Sequence, residues 1–189
     1  MFNDVDNALR LRQETTQRLS LPRRFALVAG VMATALVIAA AGRGLIVEPV
    51  LVPSGSMVPT IPAGSRLVVV AERLHRDQPA RGEIVTLADP AYPGRRLVKR
   101  VIALAGETIT TAAGRVMIDG EALEEPWLKS GSVTELAEPV VVPAGHYYVM
   151  GDARLVSVDS RAFGPVALDS IEGRGRMIAA PLDHAGTIH

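Results

Sequence analysis

One long apolar run stands near the start of the chain. Residues 25–41 read FALVAGVMATALVIAAA, seventeen positions without a charge. A helix rises about 1.5 Å per residue, so this run would span about 26 Å, close to the thickness of a bilayer core. Its side chains are apolar on all sides, which is not typical of a helix packed on a globular surface. We therefore expect a transmembrane anchor over residues 25–42.

The residues on either side of this run predict an orientation. Arg23 and Arg24 lie directly before it, and the positive-inside rule then places residues 1–24 in the cytoplasm as an N-terminal tail. Residues 43–189 would form a domain outside the cytoplasm, and the protein would cross the plasma membrane once. A cleaved signal peptide remains an alternative, because residues 39–41 are three alanines near a suitable cut.

Residues 43–189 contain short apolar and β-branched runs separated by turn residues. Asp119-Gly120 is a hairpin signal between two of these runs, whereas Thr108–Gly114 and Gln78–Arg81 have the composition of turns. No long amphipathic helix is apparent. The pattern predicts a mainly β fold, an antiparallel barrel or sandwich. The predicted strands are Leu45–Val52, Arg66–Ala71, Glu83–Leu87, Leu97–Ala103, Arg115–Ile118, Tyr147–Met150 and Ile171–Ile178.

Composition excludes several kinds of site. Twenty basic and twenty acidic residues cancel, so no overall field favours nucleic acid. The chain has no cysteine, which excludes disulfides, thiolate metal sites and a cysteine nucleophile. Only Lys99 and Lys129 among the basic residues are lysines. A buried lysine can lose its proton, whereas arginine cannot, so these two positions are the candidates for a basic amine.

Three segments carry candidate chemistry. Residues 53–60, PSGSMVPT, place two hydroxyls around a glycine between prolines, which suits a fixed nucleophile but also an ordinary loop. In the strand Leu97–Ala103, Lys99 shares a face with apolar residues, where burial lowers the pKa of the amine and makes it a competent general base. A solvated strand is the alternative. Residues 151–161 alternate acidic, basic and serine side chains, as either a bracing network or a polar loop.

Together and in this order, these segments resemble bacterial type I signal peptidases, the serine–lysine membrane peptidases that remove signal peptides. The similarity runs through residues 53–60, 81–85 (RGEIV), 97–107 (LVKRVIALAGE) and 151–161. It implies a membrane-bound serine endopeptidase that cleaves exported precursors and needs neither a cofactor nor a metal. Its partners would be precursors with small side chains at the first and third positions before the cut, and the lipid bilayer. The secretion machinery is a candidate partner.

The resemblance also assigns catalytic roles. Ser56 would be the nucleophile and Lys99 its general base. Ser54 would contribute its hydroxyl to an oxyanion hole together with the backbone N–H of Ser56. Ser157 would hydrogen-bond to the Lys99 amine and orient it.

Five further residues would support the site. Asp159 and Arg161 would form an ion pair, Asp152 would pair with Arg100, and Met57 would pack beside the nucleophile. Three positions depart from the family pattern. They are Ala153 and Val156, where the family often has Asn, and Glu83, where it commonly has Asp.

Other functions stay open at this stage. A Ser-His-Asp hydrolase would need His146 as its base, and a membrane-tethered β module could bind peptides without cutting them. A processing enzyme specialised for one substrate is a further possibility within the peptidase class. The sequence leaves Trp127 and Lys129 as either a hairpin cap or a membrane contact.

Overall fold

The computed structural model describes residues 26, 28–35, 47–71, 77–181 and 185–188. Contacts divide the chain into two compact units, Met1–Gly44 and Leu45–His189. The expected tail, residues 1–24, lies outside the described residues. Within the expected anchor, residues 26 and 28–35 are described, and they are helical and exposed. In the part of the chain that is described, no helix has the length and apolar character needed to cross a membrane.

The second unit is built from antiparallel strands, which confirms the prediction of a mainly β fold. The larger sheet has the strand order β1-β2-β11-β3-β4-β9-β10, with β12 paired to β11, and the smaller has the order β7-β6-β5-β8. The strands are β1 (Val47–Val52), β2 (Ser65–Ala71), β3 (Ile84–Ala88), β4 (Arg96–Ala103), β5 (Thr108–Ala112), β6 (Arg115–Ile118), β7 (Glu121–Ala122), β8 (Val140–Val141), β9 (His146–Met150), β10 (Val166–Ala167), β11 (Ile171–Ala180) and β12 (Gly186–Thr187).

Helices in this unit are short. Those within the described residues are the 3-10 turns Gly55–Met57 and Leu168–Ser170 and the α-helix Ser160–Phe163. Because β1 and β10 end the larger sheet without pairing to each other among the described residues, the sheet is open. The mainly β, antiparallel class predicted from the sequence is therefore realised as open sheets in the described residues.

The runs predicted as strands all contain strands, although their ends differ by one or two residues. Residues 45 and 46, at the predicted start of β1, lie outside the described part. The Asp119-Gly120 hairpin is confirmed, because Ile118 pairs with Glu121 and both turn residues have positive φ. Thr108–Gly114 was predicted as a turn, and this is wrong for its first five residues, which form β5. Its consecutive β-branched residues favour a strand paired with β6.

Three apolar clusters hold the sheets together and fix the strands that carry the candidate site. One cluster joins β1 and β2 to Met57 and Ile61, directly beneath the predicted nucleophile. A second lies between β3, β4 and β9. The third packs the end of β4 against β5 and β6. Strand β4 contributes to all three clusters, and all of its residues except Arg96 are buried.

Candidate active site

The nucleophile candidate lies in a tight turn that the core anchors. Ser56 is the middle residue of the 3-10 turn that follows β1. The next residue, Met57, is fully buried in the first apolar cluster, and its carbonyl accepts a hydrogen bond of 2.8 Å from the amide of Ile61. Anchoring Met57 in the core fixes the backbone of Ser56 while its side chain stays half-buried. Met57 therefore has the packing position that the resemblance implies.

The structure brings Ser56 and Lys99 together. The Lys99 amine nitrogen lies 3.0 Å from Ser56 Oγ, within hydrogen-bond distance. Lys99 comes from the middle of β4, where it pairs with Val85 of β3, and only 2% of its surface is exposed. Strand β4 therefore places the Lys99 side chain in the apolar interior, with its amine in contact with the Ser56 hydroxyl.

Burial changes the acidity of this amine. Desolvation is the largest effect and lowers the pKa of Lys99 from 10.5 to about 8. The charges of Arg95 and Arg161 lower it further, whereas Asp159 and Asp152 raise it. A substantial fraction of Lys99 is therefore neutral near pH 8, which is the state that a general base requires.

Ser54 also contacts the candidate nucleophile. Its hydroxyl donates to Ser56 Oγ at 3.3 Å, and its side chain is exposed. The structure therefore brings Ser54 into the site.

Ser157 does not make the contact that the resemblance implies. Its Oγ is buried and makes no hydrogen bond to the Lys99 amine in the described structure, whereas its interaction with Asp159 helps to lower the pKa of that carboxyl. The side chain instead lies against the backbone of Gly151. A Cβ added at Gly151 would be 2.2 Å from Ser157 Oγ and 2.4 Å from the carbonyl oxygen of Ser56.

An ion pair fixes the loop that carries Ser157. Arg161 Nε donates to Asp159 Oδ1 at 2.8 Å, and Asp159 also accepts from the amide of Gly151 at 3.0 Å. Burial by itself would raise the pKa of Asp159, but the hydrogen bonds from Arg161 and Gly151 outweigh it and hold that pKa below its usual value. Asp159 is thus a fixed negative charge near the amine.

A second, fully buried ion pair lies on the opposite face of β4. Arg100 donates to both carboxylate oxygens of Asp152, at 2.9 and 2.8 Å, and to the carbonyl of Gly82 at 2.7 Å. The neighbouring amide of Ala153 donates to the carbonyl of Ser56 at 3.0 Å. The pair therefore fixes the segment that holds the nucleophile's backbone. Ala153 needs only its amide for this contact, so the absence of the family's Asn side chain leaves it intact.

Sequence reasoning did not assign four residues of this network. Thr60 donates to Asp152 at 2.5 Å, although it lies within the motif identified from the sequence. Arg154 is buried and forms an ion pair with Glu125, and the ring of Trp127 covers Arg100. Arg154 could have been found from its place in the 151–161 motif. Glu125 and Trp127 belong to a separate segment, and no local pattern connects them to the site.

The other two departures from the family pattern have defined positions. The Glu83 carboxylate accepts hydrogen bonds from Arg174 at 3.1 Å and from Arg176 at 3.3 Å, so it pairs with two arginines of β11. Val156 is 72% exposed and lines the cleft above the site.

His146 is not at the nucleophile. Its Nδ1 lies 3.0 Å from the carbonyl of Ala144, at the start of β9. Among the described residues, the side chains bonded to Ser56 Oγ are those of Lys99 and Ser54. This geometry does not support a Ser-His-Asp triad.

A cleft of about 310 Å³ opens onto the hydroxyl and the amine. One wall is residues 51–56, and the other is residues 95–99. Both walls carry unpaired backbone, because β1 pairs only with β2 and residues 96–99 of β4 pair only with β3 in the described structure. An extended peptide could hydrogen-bond to such edges.

Comparison with known proteins decides the family. The sequence model described as "Signal peptidase, peptidase S26" matches residues 24–180, most of the chain. The chain belongs to the type I signal peptidase family. Membership of this family places it among the serine peptidases, within the hydrolases.

Two signal peptidases agree with this family assignment in sequence. The chain is 34% identical over 161 residues to "Signal peptidase I" of Leptolyngbya laminosa, covering 81% of this chain and 78% of the relative. It is 35% identical over 151 residues to "Signal peptidase I T" of Bacillus subtilis (strain 168), covering 75% and 78% respectively. The crystal structure of a signal peptidase I from Enterococcus faecalis V583 aligns with a TM-score of 0.44 and 31% identity, covering 52% of this chain and 97% of that one.

Proposed function

We propose that this signal peptidase is a membrane-bound serine endopeptidase that removes N-terminal signal peptides from exported precursors with a Ser56–Lys99 dyad. One observation carries the proposal. The buried Lys99 amine, with a pKa of about 8, lies 3.0 Å from the Ser56 hydroxyl oxygen. A serine hydroxyl is a weak nucleophile until a base accepts its proton, and the Lys99 amine is in hydrogen-bond contact with it.

Acylation begins when the neutral Lys99 amine takes the hydroxyl proton of Ser56. Ser56 Oγ then forms a bond to the scissile carbonyl carbon, and the carbonyl oxygen becomes an oxyanion. The Ser54 hydroxyl and the Ser56 amide are the donors assigned to this oxyanion, and one such donor is worth about 3 kcal/mol of barrier lowering. The Lys99 ammonium next protonates the leaving amine, and the peptide C–N bond breaks. The signal peptide remains as an ester on Ser56.

Deacylation repeats the same proton transfers with water. Lys99 takes a proton from a water molecule as its oxygen attacks the ester carbonyl. The ester C–O bond then breaks, Ser56 regains a proton from Lys99, and the new carboxylic acid of the signal peptide releases its proton to solvent and leaves as a carboxylate. Acylation and deacylation each end with the Lys99 amine neutral again, so no other base is required.

The cleft supports an extended peptide as substrate. Its two walls offer backbone donors and acceptors, and a third strand placed between them would bring its scissile carbonyl to Ser56.

The proposed enzyme is also attached to the membrane through its N-terminal segment. Residues 25–42 would span the plasma membrane once, with residues 1–24 in the cytoplasm and the domain 43–189 on the outer side. Enzyme and precursor would then share one bilayer surface, which raises their effective concentration.

Cleavage of a precursor peptide with an Ala-x-Ala site tests the proposal. The full chain in detergent micelles should cut the peptide after the second alanine, and Ser56→Ala and Lys99→Ala should each abolish cutting. A wild-type chain that binds the peptide without cutting it would instead be a tethered peptide-binding module. Retained cutting by Ser56→Ala would overturn the dyad.

A further inference from the structure

Residues 125–127, here called the brace segment, contact two arginines of the site from outside it. They lie in the connection between β7 and β8. The ring centroid of Trp127 is 4.5 Å from Cζ of Arg100, and the carboxylate of Glu125 pairs with Arg154. The hairpin cap or membrane contact expected for Trp127 stays a prediction, and the structure adds the position of its ring over a buried guanidinium.

Trp127 reaches the nucleophile through Arg100. One face of the Arg100 guanidinium is covered by the indole, while its edge donates to Asp152 and to the carbonyl of Gly82. Asp152 precedes Ala153, whose amide holds the carbonyl of Ser56. A shift of Arg100 would therefore move the segment against which the nucleophile rests.

Glu125 reaches the same segment through Arg154. Arg154 is only 4% exposed, and its Nε donates to the carbonyl of Gly151 at 3.2 Å. Gly151 packs so closely under Ser56 that a Cβ there would lie 2.4 Å from the Ser56 carbonyl oxygen. A buried guanidinium needs a partner charge, and Glu125 supplies it.

We propose that the brace segment positions the nucleophile, with Trp127 fixing Arg100 and Glu125 fixing Arg154, so that residues 151–154 stay pressed against Ser56. The catalytic meaning of this inference rests on the proposed function. Both brace residues act through an arginine, so they are positioning residues rather than catalytic ones.

The contribution of Trp127 comes from its aromatic face. Its indole nitrogen is buried and has no hydrogen-bond partner among the described residues. The attraction between a guanidinium and the face of an aromatic ring does not need that nitrogen. We therefore expect phenylalanine at position 127 to keep the contact with Arg100. Leucine is apolar but has no ring, so we expect it to lose that contact.

Two matched pairs of variants test the inference in the full-length protein. Trp127→Leu should lower kcat about tenfold with KM within about twofold, whereas Trp127→Phe should keep most of kcat. Glu125→Gln should lower kcat similarly because it leaves Arg154 buried without a carboxylate. Its control is Glu124→Gln, since Glu124 is 89% exposed on its side chain and pairs with Arg115 at the surface. Glu125→Gln keeps the shape of the side chain, so it decides the question if Trp127→Leu fails to fold.

Amide hydrogen exchange supplies a readout that does not depend on activity. Exchange in the fragment containing Ala153 should be faster in Trp127→Leu and Glu125→Gln than in the wild type and the controls, while strands β3 and β4 stay protected. Unchanged exchange in that fragment, or unchanged kcat in both variants, would overturn the inference. If the wild type proves not to cut precursors, the proposed function fails and exchange alone decides whether the brace segment positions Ser56.

Discussion

Lys99 and Arg100 are consecutive residues of β4, yet they hold the nucleophile from two directions. Lys99 contacts the hydroxyl of Ser56, whereas Arg100 binds Asp152, whose neighbour Ala153 holds the carbonyl of Ser56. Alternation along a strand sends successive side chains to opposite faces, so one strand supplies both the reactive contact and its support. The position of Ser56 is thereby linked to the register of β4.

Activity should rise with pH as Lys99 loses its proton. The neutral amine is the working form, and burial lowers the pKa of Lys99 to about 8. We expect kcat/KM for a precursor peptide to be about tenfold lower at pH 7 than on its plateau above pH 9. A pH–rate profile of the wild type measures this. A rate that is flat from pH 6 to pH 9 would contradict the assignment of Lys99 as the base.

Lys99→Arg should reduce kcat by at least about a thousandfold although it keeps the positive charge. A guanidinium stays protonated at every workable pH, so it cannot accept the proton of Ser56. The matched control is Lys129→Arg, because Lys129 is the other lysine of the chain and is exposed. Peptide cleavage by the two variants gives the comparison. Equal activity in both would show that the amine is not required.

Lys99→Met should make the protein more stable near neutral pH. Burial disfavours the ammonium, so the pKa of Lys99 is lower in the folded state, about 8, than its ordinary value of 10.5. Below pH 8 both states are protonated and the fold carries the full penalty, about 3 kcal/mol. Between pH 8 and 10.5 the unfolded chain binds more protons, so wild-type stability rises with pH and the advantage of the variant shrinks.

Urea unfolding at pH 6.5 and pH 10 checks this, followed by the fluorescence of Trp127, the one tryptophan in the sequence. The free energy of unfolding of Lys99→Met should exceed that of the wild type by more at pH 6.5 than at pH 10. The reverse order would mean that the buried amine is not destabilising.

Gly151→Ala should lower kcat by about a hundredfold or more. The new Cβ would lie 2.2 Å from Ser157 Oγ and 2.4 Å from the Ser56 carbonyl oxygen, so the nucleophile must move, and a displacement of about 1 Å costs this much. Gly186→Ala is the control, because a Cβ there meets nothing within 4 Å. Comparison of kcat for the two variants, with circular dichroism to establish folding, tests the prediction. Normal turnover by Gly151→Ala would show that the contact with Ser56 can yield without cost.

Local patterns predicted the parts of this structure that depend on neighbouring residues. A run of apolar and β-branched residues predicted β4, the face that Lys99 shares with apolar residues indicated its burial without excluding a solvated strand, and Asp119-Gly120 predicted its hairpin. The composition of Thr108–Gly114 is that of a loop or turn, and no strand was therefore predicted there. Residues 108–112 nevertheless form β5, because they pair with β6. Tertiary contacts such as Glu125 with Arg154 join residues 29 positions apart and leave no local signal.

The meeting of Ser56 with Lys99 was expected from the order of the motifs rather than from any property of either segment alone. Each segment by itself had an ordinary structural explanation. The order of the motifs could not predict the position of the Ser157 side chain, because that position depends on the close packing of Gly151 against Ser157 and the Ser56 carbonyl.

If a precursor binds between them as proposed, the unpaired edges of β1 and β4 also limit when it can be processed. In a helical segment the backbone amides and carbonyls are already hydrogen-bonded to each other, and the helix is about 10 Å wide. Such a segment therefore cannot form backbone hydrogen bonds with these strand edges. Maturation therefore competes with folding of the passenger around its junction. A cargo that folds tightly up to that junction would escape processing despite a suitable Ala-x-Ala sequence.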